Sequence, residues 1–131
     1  MFCASDFHYR SEAFMMLNFH QMSDDELTDQ IARGLGWFPS DLGHGFYSKE
    51  GGVPPVLFGP TYITQHFFEA CESAGVDGGR YRFEEGRWVH QLLRGNDSSI
   101  AEHESFLRAG CIALARFLQV LNSSMPERIA V

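Results

Sequence analysis

A chain of 131 residues has the length of one domain, and with 44% hydrophobic and 14% aromatic residues it can build a packed core. A formal charge of −7 argues against non-specific binding to nucleic-acid phosphates, and the single lysine, Lys49, argues against a basic membrane-surface helix. Cys3, Cys71 and Cys111 are odd in number and far apart, which reads as free thiols in a reducing compartment.

The opening MFCASDFHYR has no basic stretch leading into an apolar one, so it does not read as a secretory signal. No apolar run reaches the roughly 18 residues that span a bilayer, and a cytoplasmic location is expected. Residues 1–21 are expected to form an N-terminal extension or an extra strand; FMMLNF, Phe14 to Phe19, suits either. A single domain is expected over 22–131.

That domain opens on a helix. In MSDDELTDQIARGLG, Ser23 and Glu26 have the spacing of a capping box, and Met22 and Leu27 that of a hydrophobic staple. Asp24, Asp25 and Glu26 fall in the first turn, where the positive end of the helix dipole favours carboxylates. This use accounts for the only dense acidic run without a nucleic-acid mimic. Leu27, Ile31 and Leu35 form the apolar stripe, and Gly34 or Gly36 can end the helix.

From Trp37 to Pro60 glycine and proline recur too often for a helix. GFYS and PVLF are short strand candidates around the turn KEGG, with Pro54 and Pro55 confining the pairing to a sheet edge. A second helix is expected from Pro60–Thr61 to a stop at Gly75, with Ile63, Phe67, Ala70, Cys71 and Ala74 on its buried face.

RYRFEEGRWVHQLL then alternates aromatic and polar residues around Glu85-Gly86, the signature of a hairpin with a two-residue turn. This register sets Glu84 opposite Arg87, Phe83 opposite Trp88 and Tyr81 opposite His90. Tyr81, Phe83 and Trp88 share one face, read as core beneath two amphipathic helices; Arg80, Arg82 and Arg87 share the other. GNDSS is read as a loop ending in a second capping box, Ser99 with Glu102. The last helix is expected from about Ile100 to Leu121, and Gly110 within it marks a close approach. The expected fold is α+β, an antiparallel sheet or hairpin packed against helices as an α/β sandwich, in the order α-(ββ)-α-β-β-α.

Chemistry-bearing residues are sparse. His66 and Glu69 stand three apart on a helix, two metal ligands at most, and no second pair completes a site. Glu102, His103 and Glu104 would fan around a helical turn. His90 is read as a hydrogen-bonded core histidine. His44, in the glycine-rich DLGHGFYS, is the best-presented candidate, with Asp41, Tyr47 and Lys49 near it in sequence. Cys71 and Cys111 fall on apolar faces, the wrong setting for a nucleophile. No phosphate-binding glycine loop or nucleophile elbow occurs in its required context. His44, Tyr47, Arg80 and Arg82 are therefore the candidate ligand-binding residues, with no catalytic residues, metal or cofactor expected.

The order of these elements resembles the phage alpha-beta-alpha sandwich domain of small bacteriophage and prophage proteins. The matching stretches are SDDELTDQIARGLGW, the helix after GPTYIT, the Gly75 link, the hairpin with Trp88 and LRAGCIALARFL. They cover about Met22 to Leu121, and the Trp37–Pro60 insert matches poorly. The resemblance implies a mobile-element origin and an accessory role, with no enzymatic residues to carry over. The expected function is thus a small non-enzymatic accessory protein that binds a host or phage protein in the host cytoplasm. The alternatives are a binder of a small anionic ligand such as a nucleotide and, behind it, a small hydrolase. A homodimer through Phe46 and Tyr47 is a further expectation.

Overall fold

The computed structural model describes residues 18–123. The strand-or-extension expectation for residues 1–21, and Cys3 and His8, therefore lie largely outside the described residues. Phe19–Gln21 form one 3₁₀ turn, and Phe19 is buried in the core.

Helix α1 spans Asp24–Gly34 and starts as expected. Ser23 Oγ accepts from the Glu26 amide at 3.1 Å, and Glu26 Oε1 accepts from the Ser23 amide at 2.9 Å. Its buried face is Leu27, Thr28, Ile31 and Ala32. Burying Leu27 and Ile31 completely stabilises the fold by roughly 2 kcal/mol each. The chain then makes β1 (Phe38–Pro39), β2 (Phe46–Ser48) and β3 (Val56–Leu57), an antiparallel sheet in that order. The GFYS and PVLF strands were legible, and β3 is an edge strand, in keeping with Pro54 and Pro55 before it. The pairing of β1 on β2, Phe38 with Ser48 and Pro39 with Tyr47, is a strand the sequence reading lacked.

Helix α2 is Thr64–Ser73, three residues later than expected. Pro60, Thr61 and Tyr62 make a turn in which the Tyr62 and Ile63 amides donate to the Gly59 carbonyl. Its buried residues Phe67, Ala70 and Cys71 lie on the expected face.

Strands β4 (Gly78–Glu84) and β5 (Arg87–Arg94) form the predicted hairpin with the predicted register. Both turn residues have positive φ, 51° at Glu85 and 79° at Gly86, as a type I′ turn requires. Glu85 carries a side chain where glycine or asparagine is at ease. Glu85→Asn should therefore stabilise the protein by about 0.5–1 kcal/mol in urea unfolding.

One expectation is overturned beyond the hairpin. Asp97–His103 is not the start of a helix but a third strand, β6, paired antiparallel with β5 from Trp88–His103 to Arg94–Asp97. Gly95 at φ 59° makes the tight turn. The Ser99 hydroxyl, read as a helix cap, instead donates to the Ala113 carbonyl at 2.7 Å. A helix at this point would leave the outer hydrogen-bonding edge of β5 unsatisfied; the strand fills it. Helix α3 begins only at Phe106 and runs to Ser123.

The result is α+β, with three α-helices and two three-stranded antiparallel sheets among the described residues. α3 is the central element, lying on β5 and β6 with one side and on α1 with another. Small residues permit these approaches. A methyl group at Gly110 would stand 2.5 Å from Phe67 Cζ, and one at Gly34 would stand 2.9 Å from Leu118 Cβ.

Adding β6 also moves the helices off β4. α3 centres on β5 and β6, so His90, Leu92 and Ala101 are sealed while Tyr81 and Phe83 remain 55% and 58% exposed. Trp88 is half-buried, with ring centroids 5.0 Å from Phe106 and 5.1 Å from Phe83. The aromatic face expected as core is core only at its inner end.

Candidate functional site

A cavity of about 750 Å³ opens between the first turns of α1 and the small sheet. Its size falls in the usual range for a ligand pocket. One wall is set by the capping box, which holds Asp24, Asp25 and Glu26 at the N-terminus of α1. Asp24 is held from outside the helix: Arg108 Nη1 on α3 donates to its Oδ1 at 2.7 Å. The same guanidinium donates to the carbonyls of His20 and Met22, tying the 3₁₀ turn to α3.

The floor is a polar chain. Tyr47 on β2 donates its hydroxyl to Asp29 Oδ1 at 2.9 Å, and Arg33 Nε donates to Asp29 Oδ2 at 2.6 Å. Burial above all, then the bond to the Asp29 carboxylate, pushes the Tyr47 phenol well above its ordinary pKa. It is a neutral donor over the working pH range. Asp29 likewise raises the pKa of the exposed Arg33. Phe58 lies edge-on to Tyr47 and to Trp37, fixing the small sheet against the core. The mouth carries His44 on its exposed glycine-flanked loop and Tyr62, which is 65% exposed. The Asp25 carboxylate is exposed and forms no ion pair among the described residues.

His44 and Tyr47 thus line one cavity. Arg80 and Arg82 do not; they lie on β4 in the other sheet, where Arg82 pairs with Glu84 at 3.0 Å. Nor are Asp41 and Lys49 brought to His44 in this cavity. Lys49 Nζ sits 5.2 Å from the centre of the Trp37 ring, and Asp41 is not part of the lining. Tyr47 is buried, so it offers no surface for a dimer. Asp29, Arg33 and Tyr62 are cavity residues the sequence reading passed over. The Asp29–Arg33 pair was visible as an i,i+4 spacing, whereas Tyr62 shows no signal short of the turn that carries it.

His66 and His103 serve structure. His66 Nδ1 accepts from the Gly59 amide at 2.9 Å and its ring stacks on Phe58, while Glu69 accepts from Gln65. Among the described residues no three His, Cys, Asp or Glu side chains group to hold a metal ion. Glu102 and His103 are on β6 rather than a helix. His103 Nδ1 accepts from the Ser105 amide, and burial, then Arg108 and Arg87, lower its pKa. Cys71 and Cys111 are buried free thiols. Burial raises Cys71 to about 12 and Cys111 higher still, so neither supplies a thiolate. No helix among the described residues is long and apolar enough to cross a membrane. Compared with known proteins, the chain matches no protein-family model and no curated sequence.

Proposed function

We propose that this chain is a non-enzymatic binding module, of the bacteriophage or prophage accessory kind, that takes a positively charged segment of a host or phage protein in the cavity beside α1. One observation carries the reading: among the described residues the cavity is lined by Asp24, Asp25, Glu26 and Asp29, with Arg33 the one lysine or arginine. Asp24, Glu26 and Asp29 are already engaged within the chain, which leaves Asp25 free to meet an incoming Lys or Arg at the rim. Tyr62 and Leu57 supply apolar surface for the stem of such a side chain. A small anionic ligand is the weaker reading. Its arginines stand on the other sheet, and carboxylates repel an anion at the cavity.

The test is capture of a binding protein from bacterial lysate by the wild type, Asp25→Lys and Tyr62→Ser, with folding checked by circular dichroism. A discrete protein bound by the wild type, weakened by added salt and lost with both variants, is the expected result. Binding indifferent to salt and to both substitutions would refute the reading. So would turnover of a metabolite at this cavity by the pure protein.

A further inference from the structure

The two edges of the large sheet are treated differently. On β6 two of the outward carbonyls are covered by side chains: His20 Nε2 donates to Glu102 O at 3.0 Å and Arg116 Nη1 to Ile100 O at 2.8 Å. On β4 no strand or side chain among the described residues does the same. In a two-residue hairpin the flanking pair, Glu84 and Arg87, exchanges hydrogen bonds, and the alternation along the ladder turns the N–H and C=O groups of Gly79, Tyr81 and Phe83 outward. This edge is seven residues long and has no proline and no lysine, the usual devices against pairing.

We infer that β4 is a homodimer interface, pairing antiparallel with β4 of a second copy about a two-fold axis at Arg82 to make one continuous six-stranded sheet. The sequence Arg80-Tyr81-Arg82-Phe83-Glu84 is self-complementary when read against itself in this register. Arg80, which has no ion pair among the described residues, falls opposite Glu84 of its partner, and the reverse pair repeats the contact. Tyr81 falls opposite the partner's Phe83, and these are the positions whose backbone groups face outward, so they become the hydrogen-bonded pairs. Arg82 meets its own copy on the axis, each already neutralised by its own Glu84 at 3.0 Å.

Other registers fit less well. Centring on Tyr81 sets Arg80 against Arg82 in both directions, a like-charge pair at each. Centring on Phe83 runs the ladder into the Glu85-Gly86 turn. The Arg82 register also covers exposed apolar surface. The partner's Phe83 comes to the side of Tyr81 where a groove of about 270 Å³ opens between α2 and β4, lined by Phe68, Gly79 and Leu92. Phe68, Tyr81 and Phe83 are each about half exposed in the single chain. A two-fold axis closes this contact, because the same β4 edge of each copy is used up in pairing with the other. The interface is separate from the acidic cavity.

Sedimentation velocity of the full chain across micromolar concentrations tests the inference. The wild type should sediment as a dimer. Arg80→Glu and Glu84→Arg should each raise the dissociation constant about tenfold or more, since each replaces two attractions by two repulsions. The double variant R80E/E84R should restore the dimer, because the charges are exchanged rather than removed. All these residues are exposed, and circular dichroism checks that the variants fold. A monomeric wild type overturns the inference, as does a dimer indifferent to both single changes. A monomer in which the Tyr81 and Phe83 amides resist hydrogen exchange overturns it too, by assigning the edge to a contact within the chain.

Discussion

Gly110→Ala will destabilise the protein by about 2–3 kcal/mol in urea unfolding, although alanine is the better helix former by about 1 kcal/mol. The reason is the contact between α2 and α3. A Cβ at Gly110 stands 2.5, 2.8 and 3.1 Å from three atoms of the Phe67 ring. Phe67 is fully buried, and its ring lies 5.0 Å from Phe68 and 5.5 Å from His90, centre to centre, so it cannot swing aside. The helices must part, which opens the core around Cys111 and Leu114. The pair can be tested as a cycle. Phe67→Leu alone will cost about 1–2 kcal/mol, and combined with Gly110→Ala will cost clearly less than the sum, because the shorter side chain vacates the space the methyl needs. Simple additivity would show that the ring is not what excludes the methyl.

His90 sets the second large effect. Its ring is buried with centroids of Phe106 at 4.4 Å, Tyr81 at 5.3 Å and Phe67 at 5.5 Å, and Nε2 has no hydrogen-bond partner among the described residues. Burial lowers its pKa from 6.5 to about 4. The native state therefore holds the ring neutral while the unfolded chain takes up a proton below pH 6.5. Stability from this site is complete above about pH 6.5, falls as the pH drops toward 4, and changes no further below that. The total is about 3 kcal/mol. Carboxylates titrate over the lower part of the same range, so the site is isolated by difference. His90→Leu, which cannot charge, should gain on the wild type by about 3 kcal/mol between pH 7 and pH 4. A constant difference between the two proteins would place His90 in contact with water or a partner group.

Several elements were legible because short-range chemistry specifies them. Ser23 and Glu26 satisfy each other's backbone within one turn, and no tertiary contact is needed to place α1. Glu85-Gly86 sets the β4–β5 register because two positive φ angles match the twist of paired strands. The same local logic misled at Ser99 and Glu102, where capping-box spacing occurs in a strand. That segment is decided by β5, whose outer edge requires a partner. The candidate site was partly visible for a similar reason. His44 and Tyr47 belong to one loop and its strand and so arrive together. Arg80 and Arg82 lie beyond α2, and only the path of the chain shows that they belong to another sheet.

By itself the sequence determined the α+β class, the capped first helix, the hairpin and its register, and the buried face of α2. Each follows from hydrogen bonds or apolar periodicity within a dozen residues. Only the tertiary structure decided that β6 completes the sheet, that α3 therefore sits over β5 and β6, and that Tyr81 and Phe83 are left exposed in the single chain. Those outcomes depend on which distant element satisfies an open edge or covers a face, and residues sharing that choice are far apart along the chain.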